Sequence, residues 1–340
     1  MTQKIIVSGG AGYIGSHTAV ALQNAGFEVV VFDNLSNSKS DSLDGVMRIT
    51  GVRPLFEQID CTDTNALRDA FARHRDAVGV IHFAALKAVG ESVEKPLMYY
   101  RNNLGGLINI LDAMAEFNID NIVFSSSATV YGVPEKLPAT EETPLQPATS
   151  PYGSTKVMGE NIIRDTVQAK PNMRAVLLRY FNPIGAHPSG EIGELPNGVP
   201  NNLMPYITQT AAGIREHLNV FGDDYDTPDG FCVRDYIDVN DLAAAHVAAL
   251  RYMLEGAHGV NVFNLGTGRG TSVMELIRAF ESATGVKVPY KIAPRRAGDV
   301  PAIWADATKA ERVLGWRATT ALTDTLASAW RWQQKVSEKN

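Results

Sequence analysis

Lys4-Ile5-Ile6-Val7-Ser8-Gly9-Gly10-Ala11-Gly12-Tyr13-Ile14-Gly15 is the stretch that decides how this chain folds. An apolar run of strand length leads directly into glycines spaced three apart, and a helical stretch follows through Asn24. Strand, glycine turn and helix in that order open a dinucleotide-binding unit. Glycines at 9, 12 and 15 permit a tight turn, close backbone approach to a pyrophosphate and close helix packing, while the helix N-terminus attracts negative charge. A second apolar run, Glu28-Val29-Val30-Val31-Phe32, ends in Asp33. At about 20 residues beyond the turn, a carboxylate accepts hydrogen bonds from an adenosine ribose and repels a 2′-phosphate. NAD is therefore expected in preference to NADP.

From this opening the alternation of strand and helix continues. Residues 54–60, 78–85, 121–125 and 174–180 read as further strands, with helical stretches at 64–74 and 97–117 and another after Pro151. That pattern predicts an α/β protein built on a doubly wound parallel sheet. We expect an NAD-binding Rossmann domain over residues 1–181 and a smaller, mixed α/β substrate-binding domain over 182–340, some of whose segments return to the first. The Gly/Pro-rich stretch from Phe181 to Pro200 is longer than a simple connection and reads as a functional loop.

Composition narrows the partners. At 340 residues the chain can bury a large core, and a net charge of −6 with interspersed signs implies no nucleic-acid partner. Cys61 and Cys232 are the only cysteines, too few for a disulfide framework and without metal-ligand spacing, so no metal is expected. No run of 18 apolar residues is available to span a bilayer, and a first strand at residue 4 leaves no room for a signal peptide. A cytoplasmic protein with no membrane partner is the expectation.

Ligands of such sheets sit beyond the carboxyl ends of the strands. Asp60 and Cys61 follow the third strand and are placed to meet an adenine. Phe83-Ala84-Ala85-Leu86-Lys87 follows the fourth and passes near the pyrophosphate; His82 reads as a packed core residue. Ser125-Ser126-Ser127 closes the fifth, with Ser127 toward the nicotinamide end. Tyr152-Gly153-Ser154-Thr155-Lys156 then sets a phenol and an ammonium four apart on one helical face. A free phenol titrates near pH 10, so Tyr152 is a candidate base only if positive charge favours its ionised form. Lys156 and the positively charged nicotinamide of the cofactor are expected to supply it.

Together these residues resemble the extended short-chain dehydrogenase/reductase superfamily. The runs Gly9 to His17, Asp33-Asn34-Leu35, His82 to Ser92, Phe124 to Gly132, Leu178 to Gly190, Asn201 to Tyr206 and Val233 to Ile237 further resemble the UDP-glucose 4-epimerase family. The resemblance implies reversible interconversion of UDP-glucose and UDP-galactose by inversion at sugar C4, through a transient 4-keto intermediate and bound NAD. It implies Ser127, Tyr152 and Lys156 as catalytic residues. NAD would be held by Gly9, Gly12 and Gly15 with Tyr13 and Ile14, by Asp33, Asn34, Leu35, Ser36, Asn37 and Ser38, by Asp60 and Cys61, by Phe83 to Lys87, and by Asn102 and Phe181. The UDP-sugar would be held by Asn182, Asn202, Leu203, Asn219, Val220, Phe221, Arg234 and Arg296 to Asp299, besides Lys87, Ser127 and Tyr152. In Arg234 and Arg296 the chain offers two bidentate donors to a diphosphate. A homodimer through the helices near 97–117 and 152–168 is implied as well.

Three other readings compete. A nucleotide-sugar 4,6-dehydratase shares the fold, but its family carries an acid pair where this chain has Ala128 and Thr129. A 4-epimerase acting on another nucleotide sugar, N-acetylated or uronic, is the second, and the N-acetylated case turns on the bulk of Ile303, an intermediate residue at a position where the family controls access at sugar C2. A non-catalytic NAD sensor would have no use for an intact Ser127, Tyr152 and Lys156.

Overall fold

A computed structural model of the chain describes residues 2–296 and 299–338. Its first half alternates as expected: β1 (Lys4–Ser8), α1 (Tyr13–Asn24), β2 (Glu28–Asp33), α2 (Asp41–Thr50), β3 (Leu55–Gln58), α3 (Thr64–Arg73) and β4 (Ala77–His82). There follow α4 (Val89–Glu94), α5 (Pro96–Phe117), β5 (Asn121–Ser127), α6 (Pro151–Ala169) and β6 (Arg174–Tyr180). Proline at the head of α5 and α6 occupies a position whose N–H has no helical partner anyway. The serine before α6, Ser150, caps it by accepting from Gly153 N at 3.2 Å.

The second half continues with β7 (Asn182–Ile184), α7 (Leu203–Ala211), β8 (Leu218–Phe221), β9 (Val233–Arg234), β10 (Tyr236–Asp238), α8 (Val239–Leu254) and β11 (Gly259–Leu265). Then come β12 (Thr271–Ser272), α9 (Val273–Thr284), β13 (Tyr290–Ala293), β14 (Ala302–Ile303), α10 (Thr308–Leu314) and α11 (Leu322–Glu338).

The central sheet has seven strands, all parallel, in the order β11-β6-β5-β4-β1-β2-β3. The order reverses between β1 and β4, which opens a crevice at the carboxyl ends of those two strands. Buried on both faces, β1 reads Ile5-Ile6-Val7 and β2 reads Val29-Val30-Val31-Phe32 without polar interruption. One face packs Ile5, Val7, Val31 and Ile81 under α1 and α8; the other packs Ile6, Val30, Val80 and Ile122 under α3 and α5. Thus α8 and β11, from the second half of the sequence, belong to the first layer system.

The second lobe has a separate core of Ile184, Ile207, Val220, Leu276, Phe280 and Leu326 among α7, α9 and α11. Its sheets are small: β10-β7, β12-β9-β14 and β13-β8. Through β7, which leaves β6 after one residue, and β10, which pairs with β7 in register Asn182↔Tyr236, this lobe is stitched to the carboxyl edge of the large sheet. Among the described residues no helix is long and apolar enough to cross a membrane.

Candidate active site

The glycine turn between β1 and α1 is held open by its own backbone. Gly9 sits at φ +74°, and an added Cβ there would meet Ala84 N at 2.7 Å. At Gly15 an added Cβ would run into the Gly9 carbonyl, so the helix can start only with glycine against the turn. No side chain caps the first turn of α1, which leaves backbone N–H groups facing the cleft. That cradle fits a pyrophosphate.

Asp33, at the end of β2, is 8 % exposed. Its Oδ2 accepts from Ala11 N at 3.0 Å, and its Oδ1 accepts from Leu35 N and Ser38 Oγ, each at 2.9 Å. Three internal donors fix a carboxylate at the cleft edge, in the place where a ribose needs an acceptor. To close this turn Leu35 adopts φ +59°, unusual for a residue with a Cβ. Its side chain packs on the core rather than into the cleft. Next along, Asn34 Nδ2 donates to Asp60 Oδ2 at 2.8 Å. Burial and the acids Asp60 and Asp33 push the Cys61 thiol up to about 12, which keeps it protonated and inert.

These elements line one cleft of about 1240 Å³ that runs from Asp33 and Asp60 past Phe83 to Lys87 and Asn102 to Ser127, Tyr152, Lys156 and Phe181. Ser127 ends β5, while Tyr152 and Lys156 project from the first two turns of α6. Ser127 is hydrogen-bonded to Tyr152, and Lys156 Nζ donates to the Ser125 carbonyl at 2.6 Å, 5.8 Å from the centre of the Tyr152 ring. Burial pushes Tyr152 up to about 12 against the pull of Ser127, and pulls Lys156 down to about 8 against Glu160. Desolvation of the phenol therefore sets how much positive charge a Tyr152 phenolate needs beside it. His82 is a core residue, as expected: its Nδ1 shares a 2.6 Å hydrogen bond with Ser8 Oγ, and burial pulls its ring down to about 3.

Toward the second lobe the same cleft reaches Asn182 and Asn202. Glu194, which the sequence reading did not single out, bridges the two sides: Oε1 accepts from Asn202 Nδ2 at 2.6 Å and from Lys87 Nζ at 3.2 Å. Trp332 Nε1 of α11 donates to its carbonyl at 2.9 Å. The only sequence signal for Glu194 was the length of the loop that carries it.

Other expected substrate residues lie outside this cleft. Val220 is buried in the second core, and Leu203, half-buried, packs against it. Asn219 is exposed on β8, and Phe221, 41 % exposed, carries the Arg296 guanidinium 5.7 Å from its ring centre. Arg296 Nη2 donates to Asp299 Oδ1 at 2.7 Å, and Arg234 Nη2 lies 3.9 Å from the same oxygen. Two guanidiniums therefore share one carboxylate, which leaves positive charge in excess. Ala297 and Gly298, within the expected run from Arg296 to Asp299, lie outside the described residues. Ile303 on β14 pairs with Arg234 and packs beside Ala128 and Phe181, so it joins the arginine patch to the catalytic end of the cleft.

Comparison with known proteins agrees with this geometry. Residues 6–329 match a family model described as GDP-mannose 4,6 dehydratase. The chain is 55 % identical over 329 residues to a UDP-glucose 4-epimerase of Bacillus subtilis, covering 97 % of this chain and 96 % of that one. It is 52 % identical over 341 residues to the human protein of the same name, covering 98 % and 97 %. The crystal structure of UDP-glucose 4-epimerase from Bifidobacterium longum, in complex with NAD+ and UDP, superposes with a TM-score of 0.96 at 49 % identity, covering 99 % of this chain and all of that one.

Proposed function

From its membership of the UDP-glucose 4-epimerase family, we propose how the cleft of this chain divides the work of inverting one sugar carbon. The protein is an NAD-dependent isomerase that interconverts UDP-glucose and UDP-galactose. NAD, when bound, supplies the hydride acceptor and donor for sugar C4. The glycine turn, Asp33 and the backbone from Phe83 to Lys87 hold it. Tyr152 takes the proton of the sugar 4-hydroxyl on its phenolic oxygen and returns it when the carbonyl is reduced on the other face. Ser127, bonded to that phenol, steadies the oxygen and passes its proton. Lys156 adds the positive charge that an unassisted, buried phenol lacks.

The observation that carries this reading is the convergence of Ser127, Tyr152 and Lys156 in one cleft with the glycine turn and Asp33. Elimination across C5 and C6 would need acids beside Ser127, whereas Ala128 is packed in an apolar cluster and Thr129 offers a hydroxyl. Arg234 and Arg296 anchor the diphosphate, and few fixed polar groups grip the hexose, which leaves it free to turn over. Acceptance of an N-acetylated sugar is controlled by Ile303 at the junction between the two ends. Copies pair as a homodimer through the face of α5 and α6 that exposes Leu97, Ile108 and Met158. Two unpaired, buried cysteines suit a cytoplasmic location.

The test follows hydrogen. UDP-galactose turned over in heavy water should give UDP-glucose with no deuterium on carbon, because hydride leaves and returns without meeting solvent. Deuterium at C5, or a 4-keto-6-deoxy product, would sink the assignment. A parallel incubation with UDP-N-acetylgalactosamine reads the role of Ile303.

A further inference from the structure

One helical turn beyond Lys156, Glu160 is 1 % exposed and faces Arg179 of β6, 3 % exposed. Arg179 Nε and Nη2 donate to Glu160 Oε1 and Oε2 at 2.8 and 2.6 Å, and Ser126 Oγ of β5 donates to Oε1 at 2.6 Å. Arg179 Nη1 reaches the Tyr131 hydroxyl at 3.1 Å, which in turn donates to Asn264 Oδ1 of β11 at 2.6 Å. The network ties α6 to three adjacent strands. Its two partners on β5 and β6 are next to residues of the cleft: Ser126 lies between Ser125, which holds Lys156, and Ser127, while Arg179 precedes Tyr180, whose hydroxyl is hydrogen-bonded to Ser125 Oγ.

Stability alone does not call for such a pair, since a well-packed apolar pair of similar volume is commonly as stable as a buried ion pair or more so. We infer that Glu160 is a positioning residue for the reaction, which together with Arg179 and Ser126 fixes α6 on β5 and sets a carboxylate beneath the Tyr152–Lys156 pair. The groups that face this pair are few. From α6 there is Glu160, itself approached by Arg164 at 3.6 Å; from β5, the Ser125 carbonyl and the Phe124 ring, 5.0 Å from Lys156 Nζ. From β4 there is His82, kept neutral by burial; from β6, Arg179 and Tyr180; from α5, Tyr99, whose hydroxyl donates to Glu91. Of these, Glu160 is the group that opposes the burial cost of the Lys156 charge.

The inference rests on the reading of Tyr152 and Lys156 as the proton-handling pair. It is tested by pH profiles of kcat and KM for the NAD-loaded protein. Glu160→Gln removes a negative charge and leaves Arg179 uncompensated, and both changes favour proton loss from Lys156 and Tyr152. Both limbs of the kcat profile should move to lower pH, by about half a unit or more, with KM little changed. Glu160→Asp keeps the charge and should leave the profile in place. Arg179→Gln reverses the sign of the leftover charge and should move both limbs upward, so it decides the matter if Glu160→Gln does not fold. An unmoved profile in either glutamine variant, or one that shifts equally in Glu160→Asp, would overturn the inference and leave the pair a structural brace. Activity retained by Tyr152→Phe would instead overturn the reading beneath it.

Discussion

The two ends of the active cleft are built by different means. At the cofactor end most of the expected contact groups stand within a few residues of a strand of one seven-stranded sheet, and its key carboxylate, Asp33, already has three internal donors. At the diphosphate end the groups sit on two- and three-stranded fragments, and Arg234 and Arg296 divide a single carboxylate, Asp299, between them. The first arrangement satisfies its charges internally and presents a finished surface. The second leaves charge unspent. A group whose bonding is complete holds geometry, whereas an excess of guanidinium attracts an anion. The molecule thus keeps rigidity where hydride and proton must be aimed, and attraction where a nucleotide must be caught.

That contrast can be broken at three points. The largest effect belongs to Tyr152→Phe, which removes one hydroxyl and keeps the ring: kcat should fall by about 10² or more, with the fold and bound NAD intact. Steady-state rates alongside the absorbance of released nicotinamide nucleotide check both halves of this statement. At the other end, Arg234→Met removes a charge-assisted donor of about 1.5–3 kcal/mol, so KM for UDP-galactose should rise by about 10- to 100-fold while kcat changes little. A matching fall in kcat would mean that the diphosphate end also aims the sugar, and the division of labour would fail. The smallest effect is expected for Asp33→Ala. Loss of one hydrogen-bond acceptor, about 1 kcal/mol, should weaken NAD retention and lower its preference over NADP by about fivefold. Unchanged selectivity in a cofactor competition assay would take Asp33 out of the ribose role.

Legibility in the sequence follows the same divide. The glycine turn, Asp33, Ser127 and the Tyr152–Lys156 spacing were readable because each lies within a few residues of a strand or helix end whose period is set locally. Even the expected catalytic helix begins at Pro151 in the structure. What local pattern could not give was partnership across the chain. Glu194 meets Lys87 across a separation of 107 residues, and its charge pairs with nothing near it in sequence. Nor could pattern show that Val220 and Leu203 pack with the second core, since a four-residue strand and a helix's first turn are too short to reveal a periodicity. The burial that pushes the Tyr152 phenol up was hidden for a related reason. Spacing announces which groups are near, but the cost of burying them depends on everything packed around them.

The strand order of the large sheet carries a consequence for how the protein is made. Its edge strand, β11, and the helix that covers β1, α8, are encoded after the first segments of the second lobe, β7, α7, β8, β9 and β10. During vectorial synthesis β6 therefore waits as a bare edge, and the apolar face of Ile5, Val7 and Val31 stays partly uncovered while the intervening chain emerges from the ribosome. Parallel pairings of such long sequence separation close large loops before any contact rewards them, which slows folding and prolongs exposure to aggregation. The same circuit that lets the second lobe seal the cleft makes the first lobe dependent on the last third of the chain for its own completion.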